Sequence, residues 1–148
     1  MSKSLSIKLS SKRNYPPSLT KAKVLIVEDE QIIAMDIRNI LERLGCRVCA
    51  VTADGEESVR LASRWHPDFI VMDIRLKGKI DGIQAARIIQ AQKNIPVIYL
   101  SAYGDGETLD QALQTAFSYY VHKPFSETEL KSKISSVLDG IKKYSKTN

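Results

Sequence analysis

Five short polar signals recur along the chain, each at the end of an apolar run or close to it: Glu28-Asp29, Asp73, Ser101-Ala102, Tyr120 and Lys123-Pro124. The runs are Val24 to Val27, Phe69 to Met72, Val97 to Leu100 and Tyr119 to Val121. In an open parallel α/β sheet, ligands bind outside the carboxyl ends of the strands. If these runs are neighbouring strands, three carboxylates, a hydroxyl and an ammonium converge on one point. Packed carboxylates repel, so they require a cation or a proton. Oxygen ligands with open positions suit Mg²⁺, which keeps several waters and bridges to phosphate; Mn²⁺ is the alternative hard cation.

The elements that must position these groups are legible in the apolar pattern. From Val24 onward, short apolar runs alternate with longer amphipathic stretches, the mark of βαβ units and a parallel sheet. Strands are expected at about 24–28, 47–52, 68–73, 96–101 and 119–122. The first helix spans about 31–44, with Ile33, Ile37, Ile40, Leu41 and Leu44 at helical spacing and Gly45 as its stop. Further helices are expected at about 56–65, from Asp81 to about Lys93, at about 105–116, and from Ser126 to about 141. Ser126 and Glu129 have the spacing of a capping box. Five strands and five helices alternate strictly, leaving no segment for a second domain.

These residues, in this order, resemble the receiver domain of two-component response regulators. The resemblance covers about 23–141. It implies a doubly wound, five-stranded parallel sheet of flavodoxin-like order 2-1-3-4-5, flanked by five helices. It makes Asp73 the phosphoacceptor, a nucleophile that forms an acyl phosphate, with Lys123 as a point positive charge for the phosphoryl oxygens. The metal set implied is Asp29, Asp73 and the backbone carbonyl of Arg75, with Glu28 acting mostly through a bound water. Glu28 departs from the commoner Asp at this position, and its longer stem alters its reach. Ser101 would donate its hydroxyl to the phosphorylated form, Ala102 would leave room, and Tyr120 would turn inward in response. The bond before Pro124 is typically cis in the family and would aim Lys123 into the pocket. Arg75 and Tyr103 occupy the positions that tune phosphoryl lifetime, and Tyr103 is bulky enough to shield the group from water. Plainer readings stay open. Ser101 could be a local cap, Tyr120 a static half-buried strand residue and Glu28 a helix-dipole partner. The loop Lys77-Gly78-Lys79 is one residue longer than usual, because Gly82 stands nine residues after Asp73 where many receivers have a Gly at eight.

The partners implied are a histidine kinase or histidine phosphotransfer protein. A downstream protein would be met on the fourth-helix, fifth-strand and fifth-helix face, with a phosphorylation-dependent dimer as a further use of it. The expected function is a stand-alone receiver that signals by protein contact and catalyses only its own Mg²⁺-dependent phosphorylation and dephosphorylation. A receiver-regulated nucleic-acid binder is the alternative. Residues 1–23 carry six Lys/Arg and no acid, and 131–148 carry five Lys and one acid. The segment between is mildly acidic, with eleven basic and sixteen acidic residues. We read 1–22 as a flexible basic extension and 142–148 as a basic tail. Those ends lack stacking aromatics apart from Tyr15 and Tyr144, which argues against nucleic acid. An Asp-nucleophile phosphatase acting on external esters is a third reading, opposed by the lack of any segment resembling a substrate cap.

The remaining signals exclude classes. No apolar run reaches the ~18–20 residues of a membrane span. The N-terminus has no continuous apolar stretch of a secretory leader, so a cytoplasmic location is expected. Two cysteines give no disulfide framework. Cys46 and Cys49 are three apart at the second strand, and in extended chain residues so spaced face opposite sides. His66 and His122 have no Cys or His partner at ligand spacing. No phosphate-binding loop or dinucleotide fingerprint is present.

Overall fold

A computed structural model describes residues 22–114 and 117–147, with side chains to residue 143. Five strands form one sheet: β1 (Lys23–Val27), β2 (Arg47–Thr52), β3 (Phe69–Asp73), β4 (Val97–Ser101) and β5 (Ser118–His122). They alternate with α1 (Gln31–Arg43), α2 (Gly55–Trp65), α3 (Gly82–Gln92), α4 (Gly106–Ala112) and α5 (Glu127–Thr147). The strand order is β2-β1-β3-β4-β5 and every pairing is parallel.

Apart from Lys23 at the start of β1 and Asp73 and Ser101 at the ends of β3 and β4, the central strands carry apolar or aromatic side chains, because helices cover both faces. β3 and β4 are buried throughout. On one face, Val24, Ile26, Val71 and Ile98 pack against Ile37 and Leu41 of α1 and Leu130 and Ile134 of α5. On the other, Leu25, Met72, Val97 and Tyr99 pack with Ala62 of α2, Ala85 and Ile89 of α3 and Leu109 of α4. Along β1, β3 and β4 neighbouring core residues therefore lie in opposite cores, as the two-residue period requires. Cys46 joins the first core and Cys49 packs against the second, so the two thiols face opposite sides as expected. Cys49 is also the extra residue where the β1–β2 register shifts.

Local chemistry fixes the helix starts. Asp54 accepts the Glu57 N–H at 2.8 Å. Asp81 and Gln84 form a capping box at α3. At α5 the Glu129 N–H donates to Ser126 Oγ at 3.1 Å while the Ser126 N–H donates to Glu129 Oε1 at 2.8 Å. Gly45 closes α1 at φ 89°, a conformation open to glycine without a Cβ clash.

Three boundaries differ from the sequence reading. Ala22 is not part of a free extension: it is buried, and its carbonyl accepts the Arg47 N–H at 2.8 Å. The rest of the expected extension, 1–21, lies outside the described residues. α4 ends at Ala112 rather than near 116, and Leu113 and Gln114 already turn. α5 does not stop at 141 but continues through 142–147, because the run Lys142 to Thr147 contains no Gly or Pro to break it. Among the described residues, no helix is long and apolar enough to cross a membrane.

Candidate functional site

β1, β3 and β5 end on the same edge of the sheet, with β4 between the last two, and deliver polar residues at their ends to one pocket. Glu28 follows β1 and stays in the ladder, its N–H donating to the Thr52 carbonyl at 2.9 Å. Asp29 comes next, and Asp73 closes β3. Carboxylate oxygens of Glu28, Asp29 and Asp73 all lie within 4.8 Å of one another. Lys123, one residue past β5, extends into this cluster. Its Nζ lies 3.1 Å from Asp73 Oδ2, 3.1 Å from Glu28 Oε1 and 3.5 Å from Glu30 Oε1. The side chain of Lys123 is 16% exposed, so it is no solvated surface lysine. The Lys123–Pro124 peptide bond is cis.

The electrostatics follow from crowding three acids around one base. Burial, reinforced by the charge of Asp73, pushes the Glu28 carboxyl up to about 7. The Glu30 N–H, donating to Glu28 Oε2 at 3.0 Å, and Lys123 pull the other way. For Lys123, burial opposes the charge, but Asp73 and then Glu28 outweigh it and its pKa is raised. Glu28 Oε1 is buried and has no hydrogen-bond partner among the described residues, despite its closeness to Lys123. Such an acceptor is costly unless something fills its lone pairs. An oxygen-only donor set with one orphaned buried oxygen fits a hard divalent cation.

The loop after β3 is built around Asp73. Its Oδ1 accepts the Arg75 N–H at 3.1 Å. Gly82 starts α3 so close beneath that a Cβ there would stand 1.9 Å from the Asp73 carbonyl oxygen. The longer loop turns at Gly78, φ 110°. Arg75 reaches across to the β4–α4 loop, where its Nε donates to Asp105 Oδ1 at 2.6 Å. Asp105 is buried, and its other oxygen accepts the Ala102 N–H at 2.7 Å. One carboxylate thus ties together the two loops that border the pocket. Asp105 was not singled out in the sequence, where it reads as one more acid in a Gly-Asp-Gly turn.

Ser101 closes β4 and is fully buried. Its Oγ lies 2.8 Å from Nδ1 of His122, a partner that metal-ligand spacing did not reveal. Parallel register places Ser101 directly opposite His122. Tyr120 is half-buried, its ring edge-on to the His122 ring at 5.1 Å and under Lys133 Nζ at 5.5 Å. Tyr103 is fully exposed and covers nothing, so the expected shield over the pocket is not in place in this conformation. Gly104, at φ 97°, turns the chain directly after it.

Comparison with known proteins agrees with this geometry. Residues 24–135 match the model of the response regulator receiver domain. The transcriptional regulatory protein PdtaR of Mycobacterium tuberculosis is 34% identical over 108 residues, covering 73% of this chain and 52% of that protein. The alkaline phosphatase synthesis regulator PhoP of Bacillus subtilis is 33% identical over 117 residues, 78% of this chain and 48% of its own. The chain thus spans about half the length of the curated relatives it matches. Among solved structures, the signal receiver domain of a modulated diguanylate cyclase from Desulfovibrio desulfuricans superposes with TM-score 0.74 at 36% identity, over 82% of this chain and 97% of that one. The receiver domain of a Pseudomonas aeruginosa sensor histidine kinase, solved with a magnesium ion in its active site cleft, gives 0.69 at 38% identity, over 80% and 98%. The chain belongs to the response regulator receiver family of two-component systems.

Proposed function

We propose that this receiver accepts a phosphoryl group on Asp73 from a histidine kinase or histidine phosphotransfer protein. The carrying observation is Lys123 Nζ at 3.1 Å from Asp73 Oδ2 inside a cluster of three carboxylates. Glu28, Asp29, Asp73 and the carbonyl of Arg75 would hold Mg²⁺. When bound, the ion neutralises the acids and the incoming phosphoryl oxygens. Lys123 supplies the second positive charge, and phosphoryl transfer asks little more of a protein than positioning and neutralisation. As the donor's P–N bond breaks, an Asp73 oxygen takes the phosphoryl group as an acyl phosphate. Ser101 offers its hydroxyl to the product, Ala102 leaves space beside it, and Tyr120 responds as the switch aromatic. Arg75 and Tyr103 flank the acceptor and tune how long the group survives.

We assign the output to protein contact through α4, β5 and α5, from a cytoplasmic location. Two of the C-terminal lysines are already engaged within the domain. Lys131 Nζ lies 3.1 Å from Glu127 Oε2, and Lys133 lies over Tyr120. That favours a protein-facing switch surface over a nucleic-acid grip.

The test is intact mass after incubation with Mg²⁺ and acetyl phosphate, run beside Asp73→Asn. One added phosphoryl group, absent from the variant, is expected. Phosphorylation of the variant, or none in the wild type with Mg²⁺ bound, would refute the assignment.

A further inference from the structure

The proposed reaction leaves one side chain at the switch unused. His122 closes β5, one residue before Lys123, and its ring is exposed. It nonetheless touches both residues assigned to the switch. Nδ1 lies 2.8 Å from the buried Ser101 hydroxyl. The ring also stands 71° to Tyr120, with centroids 5.1 Å apart. The pairing has a backbone cause. Ser101 and His122 are opposed in the parallel register, and Tyr120 and His122, two apart on one strand, share a face.

A serine hydroxyl has one hydrogen to give. With the ring proton on Nε2, Nδ1 accepts that hydrogen. A hydroxyl donating to His122 cannot at the same time donate to a phosphoryl group on Asp73. We infer that His122 is a positioning residue that holds the Ser101 hydroxyl in its resting orientation and links its release to Tyr120. The inference rests on the phosphoacceptor reading above. In physical terms, the phosphorylated state must break the Ser101–His122 bond before it gains its own. Ser101 therefore contributes only the difference between two hydrogen bonds, and the resting state is favoured by the one it gives up. Once the hydroxyl leaves, the imidazole loses its anchor and the edge contact with Tyr120 is free to change.

The test is the affinity for beryllofluoride, a phosphoryl mimic, in Mg²⁺, read by fluorine NMR. It compares the wild type, His122→Val, His122→Asn, Ser101→Ala and the double variant Ser101→Ala/His122→Val. Valine keeps the strand preference and removes the acceptor, while asparagine keeps a polar atom near the Nδ1 position. A net hydrogen bond corresponds to about two- to tenfold in an equilibrium constant. His122→Val should therefore bind roughly that much tighter, and His122→Asn should stay near wild type. In the Ser101→Ala background the valine change should have no effect, because no hydroxyl remains to release. An equal effect in both backgrounds would show a merely structural role and overturn the inference, as would no tightening in His122→Val. Wild type that binds Mg²⁺ but no beryllofluoride would instead refute the phosphoacceptor reading, and this inference with it.

Discussion

Replacing Glu28 with Gln should stabilise the metal-free protein above neutral pH while weakening its hold on Mg²⁺. Glu28 is buried with its carboxylate in the field of Asp73, and its pKa rises from 4.5 to about 7. One pKa unit is about 1.4 kcal/mol, so keeping Glu28 ionised costs the folded apo state at most about 3.5 kcal/mol. The sign follows from proton linkage. Between the unfolded value near 4.5 and the folded value near 7, the folded state binds more protons. Stability therefore falls as pH rises across that window and levels off above it. Gln still offers an oxygen to the Glu30 N–H but carries no charge, and Lys123 keeps Asp73. We expect Glu28→Gln to gain about 1–3 kcal/mol at pH 8 in chelator, and less than about 1 kcal/mol at pH 5. For a domain of this size that is roughly 4 °C of Tm per kcal/mol. Thermal melts at both pH values, with and without Mg²⁺, give the answer. Mg²⁺ should raise the wild-type Tm at pH 8 and raise the variant's less. A variant less stable than wild type at pH 8 without metal, or a gap identical at pH 5 and 8, would refute the reasoning.

Three further outcomes follow from the loops around Asp73. Gly82→Ala would force a Cβ to 1.9 Å from the Asp73 carbonyl oxygen, so the start of α3 must shift. Urea unfolding should show a loss of more than about 2 kcal/mol, as expected for steric overlap with backbone. Asp105→Ala strands the Ala102 N–H and frees Arg75, and should cost about 1–3 kcal/mol. Arg75→Ala should cost under about 1 kcal/mol, because the Arg75 side chain is 64% exposed. Equal losses for the two variants in the same denaturant titration would contradict that ranking. Tyr103→Ala should shorten the life of the acyl phosphate several-fold if the ring closes over it after phosphorylation. An unchanged dephosphorylation rate would remove Tyr103 from that role.

How much of this was legible in the sequence depends on which interaction fixed each residue. The fold is written in runs such as Phe69 to Met72, which no surface strand could expose, and in the helical stripe from Ile33 to Leu44. Glu28, Asp29, Asp73 and Lys123 were legible for a related reason. Each sits within two residues of the end of such a run, so placing the strands placed the residues. The end of α5 was not legible, because its apolar stripe fades after Ile141 while nothing in 142–147 breaks a helix. Asp105 was missed because its role is not local. It satisfies an amide three residues back and a guanidinium from another loop, and neither partner shows in spacing.

His122 falls between these cases. Read along the chain it has no partner, since metal spacing and helix spacing are both absent. Read across the sheet it stands opposite Ser101, because both are last residues of adjacent parallel strands. That register follows from strand order and strand ends, each of which the sequence already suggested. The contact was therefore within reach of pairwise reasoning between strands, though not of motif reasoning along one. The same argument explains why the Lys-Pro pair was recognisable and the residue before it was not. Lys123 acts on the pocket shared by all three strand ends. His122 acts on one hydroxyl of one neighbour, and its meaning exists only once that neighbour is known.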